Sequence, residues 1–116
     1  KIMRGVAGRY LLDVGPEPLD ALYKPSVNAL FSSAAKECGA RTLGVVLTGM
    51  GEDGAIGAEM LKREGATLIA QEEQTCVVYG MPKAIVERGI ADAAMVPADI
   101  ASVLSGLSAD GGRSAA

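Results

Sequence analysis

The stretch 43–55, LGVVLTGMGEDGA, constrains this chain more than any other. An apolar run of Leu43, Val45, Val46 and Leu47, with Gly44 inside it, stops at Thr48-Gly49-Met50-Gly51-Glu52-Asp53-Gly54, and helical periodicity starts at once with Ala55. That pattern is a buried strand, a tight loop and a helix start. In α/β proteins such junctions lie at the carboxyl end of a sheet, where helix N-terminal amides converge and where ligands and catalytic groups sit. A second strand, Thr67-Leu68-Ile69-Ala70-Gln71, follows the helix, whose stop is Gly65. A crossover helix between them makes the two strands parallel and the connection right-handed.

The remaining segments fit the same class. Ile2-Met3-Arg4 and residues 9–14 are two short strand-like runs around 5–8, which read as an N-terminal β-hairpin. Residues 15–25 form a proline-punctuated, extended connector, with Leu19, Leu22 and Tyr23 docked against the domain. Ser26 caps a helix whose inward positions are Val27, Leu30, Phe31, Ala34, Ala35 and Cys38, with its end at Gly39. Residues 55–64 form the crossover helix, with Ile56, Met60 and Leu61 on its inner face. Gly57 in its first turn costs about 1 kcal/mol against Ala, which is accounted for by close approach of a neighbouring backbone. Residues 71–80 turn from polar to apolar and have two readings: a wall of the site, or a structural loop with Val77 and Val78 packed inward. Pro82 opens a short helix with Ile85 and Val86 inward and Gly89 at its end. A short edge strand at 93–96 is stopped by Pro97, and Asp99, Ile100, Val103, Leu104 and Leu107 mark a last amphipathic helix.

The predicted fold is therefore α/β: a mostly parallel sheet flanked by helices, a Rossmann-like three-layer arrangement with an N-terminal hairpin. One domain spans 1–107, and 108–116, lacking apolar periodicity, is a disordered tail or linker. Hydrophobic residues make up 49% of the chain but aromatic ones only 3%. Small aliphatic packing of that kind suits a sheet buried between helices.

Composition also excludes several functions. A net charge of −3 with no basic cluster argues against nucleic acid as a partner. No apolar run reaches the roughly 18 residues of a membrane span, and the first residues lack a signal peptide's apolar region, so a cytoplasmic protein without membrane insertion is expected. Cys38 and Cys76 are expected to be reduced, and no metal or cofactor is called for. The chain contains no histidine. Ser32 and Ser33 accordingly read as solvated helix residues rather than nucleophiles, since no base accompanies them.

Two chemistries compete for the loop. Gly49-Met50-Gly51-Glu52-Asp53-Gly54 matches G-x-G-x-x-G between a strand and a helix, and Glu72 and Glu73 follow the next strand at the spacing of a ribose-binding carboxylate. Against a dinucleotide, Glu52 and Asp53 put two negative charges where a pyrophosphate needs an attractive cradle of amides. The other reading centres on Asp53. A fixed carboxylate at a helix start is what orients a catalytic imidazole. Its plain alternative is an ordinary N-cap worth about 0.5–2 kcal/mol.

The blocks Thr48-Gly49-Met50-Gly51-Glu52-Asp53-Gly54-Ala55, Ala70-Gln71-Glu72 and Thr75-Cys76-Val77-Val78-Tyr79-Gly80-Met81-Pro82 together resemble the catalytic domain of the chemotaxis receptor methylesterases, the CheB family. Arg9-Tyr10-Leu11-Leu12 and Lys24-Pro25-Ser26-Val27 resemble the segment before them, so the likeness covers roughly 1–104. What it implies is a bacterial protein-glutamate methylesterase, in many members also a glutamine deamidase, acting on methyl-accepting chemotaxis receptors under control of an attached receiver domain. It implies that Asp53 is the aspartate of a Ser-His-Asp triad and that Met50 and Gly51 lie near the substrate or its oxyanion. The family's nucleophilic serine and its histidine lie in segments that these 116 residues do not match. The chain is thus expected to be the C-terminal portion of the catalytic domain and inactive alone. The competing expectations are a dinucleotide-binding fragment using the glycine loop and a non-catalytic interaction module.

Overall fold

A computed structural model describes residues 1–16 and 25–114, with side-chain packing described as far as Leu107. The docking expected of Leu19, Leu22 and Tyr23 lies outside the described residues. The chain runs β1 (Ile2–Arg4), β2 (Tyr10–Leu12), α1 (Val27–Glu37), β3 (Leu43–Val46), α2 (Ala55–Arg63), β4 (Thr67–Gln71), α3 (Met81–Glu87), β5 (Ala93–Met95) and α4 (Pro97–Ser114). β1 and β2 pair antiparallel as the expected hairpin, with Met3 opposite Leu11. β3, β4 and β5 form a parallel sheet in that order, with Gly44 opposite Leu68 and Ala70 opposite Ala94.

β4 is the central strand and is buried on both faces. Leu68 and Ala70 on one face join Val46, Ala58, Leu61, Ile85, Ile90 and the Ala34-Ala35 pair of α1 in one core. Ile69 on the other face is equally buried, and α4, whose Ile100 is buried, covers that side. The core is built from alanine and aliphatic side chains, so elements approach closely. Gly44 shows how closely: a Cβ there would stand 2.4 Å from Leu68 Cδ2.

That approach explains where helix faces differ from the periodicity. α2 buries Ala55, Gly57, Ala58 and Leu61, whereas Ile56 is 60% exposed and Met60 also faces outward. Turning the small residues inward lets α1 and α2 touch backbone to backbone, and this turns Ile56 and Met60 out. Leu30 of α1 is likewise exposed, because Ala34 and Ala35 occupy its inner face. In α3 the inner face is taken by Pro82 and Ile85, and Val86 turns outward. α4 remains helical to Ser114, through the segment expected to be a tail from Ser108. Its Ser, Ala, Asp and Arg residues tolerate a helix, and Gly111 and Gly112 weaken one without breaking it, at about 1 kcal/mol each.

Polar contacts tie the pieces together. Ser26 caps α1 as expected, its Oγ accepting from Ala29 N at 3.1 Å. Ser33 has a structural job: its hydroxyl accepts from Ile2 N at 2.8 Å and donates to Leu30 O at 2.7 Å, fastening the hairpin to α1. Asp92, just before β5, accepts from Leu68 N at 2.8 Å and pairs with Lys62 of α2. The Lys62 hydrogen bond, helped by the Leu68 amide, holds the Asp92 carboxyl below its usual range. A lowered carboxylate contributes stability that is present above its unfolded-state value and lost as pH falls through its folded-state value. Asp92→Asn is therefore expected to cost more at pH 6 than at pH 3. The difference is under about 1 kcal/mol, because both side chains are more than a third exposed. Denaturant unfolding of both proteins at the two pH values checks this, and a gap that does not narrow on acidification would refute it.

Candidate active site

The site is built where two loops leave the carboxyl ends of β3 and β4. Gly49 and Tyr79 form an isolated parallel bridge, so the loops are zipped together beyond the sheet. Gly49 N donates to Val78 O at 3.0 Å, while Gly80 N and Met81 N both donate to Gly49 O, at 3.0 and 2.9 Å. The Thr48 hydroxyl accepts from Val78 N at 2.9 Å and donates to Val78 O at 3.0 Å. Gly80 is required by this closeness: a Cβ there would lie 2.8 Å from Gly49 O and 2.9 Å from Gly51 N. With its backbone committed to Thr48 and Gly49, the second loop turns its apolar side chains out. Val77 is 90% exposed and Val78 also faces solvent, so the inward-packed loop is not what forms.

Beneath the zipper sits Gln71, a buried polar side chain at the end of β4. Its Oε1 accepts from Thr48 N at 2.8 Å, and its Nε2 donates to Thr75 O at 2.9 Å. One amide group thus fixes the start of both loops. Burial pushes the nearby Cys76 thiol up, with Glu73 adding to the effect and the Thr48 hydroxyl opposing it. A thiol held protonated is a poor nucleophile.

Asp53 is buried, with 6% of its surface exposed, but it does not cap the helix it precedes. The N-cap of α2 is Gly54, in the left-handed region at φ 96°, and it has no side chain to offer. Asp53 instead reaches to the N-terminus of α1, where Oδ2 accepts from Val27 N at 2.7 Å and Oδ1 from Asn28 N at 3.1 Å. The return contact comes from Asn28, whose Oδ1 accepts from Gly57 N in the first turn of α2 at 2.8 Å. The loop before α2 thus holds two amides at the start of α1, and a residue of α1 holds one at the start of α2. Gly57 makes this possible, since a Cβ there would stand 2.6 Å from Phe31 Cβ and 3.2 Å from Asn28 Cα.

The loop brings Met50, Gly51 and Asp53 into one turn but not into one environment. Met50 is 79% exposed and Gly51 is exposed with φ 83°, while the Asp53 carboxylate faces inward. Glu52 points away to the end of α3, where Arg88 pairs with it at 3.7 Å and with Glu59 at 3.2 Å. Several of the amides a pyrophosphate cradle would use are already engaged. Ala55 N donates to Glu52 O, Gly57 N to Asn28, and the first amides of α3 to Gly49 O. Among the described residues, no three Cys, Asp or Glu side chains come together as a metal site, and no helix is long and apolar enough to cross a membrane.

Sequence reasoning missed Asn28 and the role of Gln71. Gln71 carried a signal, a polar residue closing a strand directly after the apolar run Leu68, Ile69 and Ala70. Asn28 carried little, because its partner is 29 residues away.

The comparisons agree with this geometry. The family model described as CheB methylesterase matches residues 6–104. The protein-glutamate methylesterase/protein-glutamine glutaminase 1 of Oleidesulfovibrio alaskensis is 51% identical over 102 residues, which are 88% of this chain and 28% of that protein. The corresponding protein 2 of Nitratidesulfovibrio vulgaris is 53% identical over 95 residues, 81% of this chain and 26% of its own length. The crystal structure of the Thermotoga maritima CheB methylesterase catalytic domain superposes with a TM-score of 0.72 at 38% identity, covering 84% of this chain and 51% of that one. The chain thus spans about a quarter of these relatives and half of that catalytic domain. With the zipped loops, the parallel sheet and the matched motifs in agreement, the chain belongs to the CheB methylesterase family.

Proposed function

We propose that this chain supplies the aspartate of a Ser-His-Asp triad in a protein-glutamate methylesterase, with Asp53 in that role. The observation that carries the reading is the Asp53 carboxylate, buried at the carboxyl end of the sheet and fixed by two amides of α1. A carboxylate has about four acceptor positions. Among the described residues two are used, by Val27 N and Asn28 N, which leaves capacity for the Nδ1–H of an imidazole.

In the proposed reaction a serine attacks the carbonyl of a γ-glutamyl methyl ester, the histidine passes the serine proton to departing methanol, and water then releases the glutamate carboxylate. Asp53 holds the imidazole in the productive tautomer and stabilises the imidazolium. Met50 and Gly51, on the exposed side of the same turn, border the substrate or its oxyanion. The substrate is a methyl-accepting chemotaxis receptor in a bacterial cytoplasm, and a receiver domain regulates the enzyme. Deamidation of receptor glutamines is the same acyl chemistry with ammonia leaving.

The 116 residues hold no histidine, so the histidine must come from outside them, and the triad serine is proposed to come with it. The isolated 116-residue polypeptide is expected to release no methanol from methylated receptor above the uncatalysed rate, and a catalytic domain containing it together with a serine and histidine segment is expected to turn over. Methanol release by the 116 residues alone would sink the proposal.

A further inference from the structure

We infer that Asn28 is a positioning residue for the reaction, acting through Asp53. The inference rests on the reading of Asp53 as the residue that orients the histidine. Asn28 is bonded to both ends of one short segment. Its backbone N–H holds Asp53 Oδ1, and its side-chain oxygen holds the Gly57 amide. The path from the carboxylate to α1, through the Asn28 side chain to the first turn of α2, and back along 54–56 to Asp53 closes a ring. A rotation of the carboxylate relative to α1 must stretch a member of that ring.

Among the described residues, Asn28 is the side chain that accepts from Gly57 N. Gly54 at the N-cap of α2 has no acceptor, and Gly57 is buried, so its N–H depends on Asn28. A buried helix-start amide that loses its partner must find another or move toward water. Either response shifts the start of α2, and Asp53 lies directly before it. An imidazole partner displaced by about 1 Å can lower turnover by about 10²-fold, so the ring sets catalytic geometry as well as stability.

The test is made in a whole catalytic domain that includes this chain. Asn28→Ala is expected to lower kcat about 10- to 100-fold, with KM for methylated receptor peptide held within about twofold, because substrate contacts are untouched. Asn28→Asp keeps an acceptor for Gly57 N and is expected to recover most of kcat. Asn28→Leu, which keeps bulk without the acceptor, repeats the measurement should the Ala variant not fold. In an Asp53→Asn background, Asn28→Ala is expected to lower kcat no further, since residues acting through one group are not additive.

Unchanged kcat in a folded Asn28→Ala or Asn28→Leu protein, or an Asn28→Asp variant as slow as Asn28→Ala, would overturn the inference. So would a full multiplicative loss in the double variant. The two readings fail differently. An Asp53→Asn enzyme within a few-fold of wild type removes the triad reading itself, whereas a slow Asp53→Asn enzyme beside a fast Asn28→Ala enzyme removes only the positioning role.

Discussion

Asp53→Asn, made in a whole catalytic domain, is expected to lower kcat by about 10⁴-fold, as loss of a triad carboxylate does elsewhere, and to lower stability as well. The loss of stability follows from the contacts. Both carboxylate oxygens accept from backbone N–H groups, Oδ2 from Val27 and Oδ1 from Asn28. Asparagine has one oxygen, so its NH2 group must face one of those donors, and an amide left buried without an acceptor costs about 1–3 kcal/mol. In a domain of catalytic size that lowers the melting temperature by several degrees, at about 2–4 °C per kcal/mol. A residue that only capped α2 would lose neither the 10⁴-fold rate nor the α1 amides. Steady-state methanol release and thermal unfolding of the same preparation separate the two effects. A variant that melts lower but turns over within a few-fold of wild type would make Asp53 a structural cap of α1 and nothing more.

The parts of the fold set by local chemistry were legible in the chain. The strand, loop and helix of 43–63, the Ser26 cap, the hairpin and the Pro97 stop each follow from residues within a few positions of one another. The helix faces were less legible, and for one reason. Hydrophobic periodicity ranks Ile56 and Met60 above Gly57 and Ala58, but a core of small side chains rewards close approach, which only the small residues permit. The site shows the same division. Asp53 could be singled out from its loop, yet which helix its carboxylate binds could not, because Val27 and Asn28 lie 26 and 25 residues earlier. The zipped loops also show where part of the glycine pattern's hydrogen-bonding capacity goes. Gly49 and Gly80 bring two backbones together, and their amides and carbonyls satisfy each other.

The Gly57→Ala substitution sets local preference against packing, and packing is expected to win. Alanine in the first turn of α2 gains about 1 kcal/mol of helix propensity over glycine. Its methyl group, however, would lie 2.6 Å from Phe31 Cβ and 3.2 Å from both Asn28 Cα and Asn28 O. A Cβ and backbone atoms cannot swing aside as a long side chain can, so α1 has to back away from α2. Forcing a methyl into a packed contact costs about 1–3 kcal/mol by itself. The retreat also stretches the three hydrogen bonds that join the helices, Asn28 to Gly57 and Asp53 to Val27 and Asn28, each worth about 1 kcal/mol or more. A net loss of about 2–3 kcal/mol remains after the propensity gain is credited. It should appear as a lower denaturation midpoint with an unchanged denaturant slope. Because the moving helix carries the amides that hold Asp53, kcat should fall in the protein that remains folded. A stabilised Gly57→Ala protein would show that α1 and α2 are held apart by some other contact, and that the mutual capping of Asp53 and Asn28 is slack enough to absorb a methyl group.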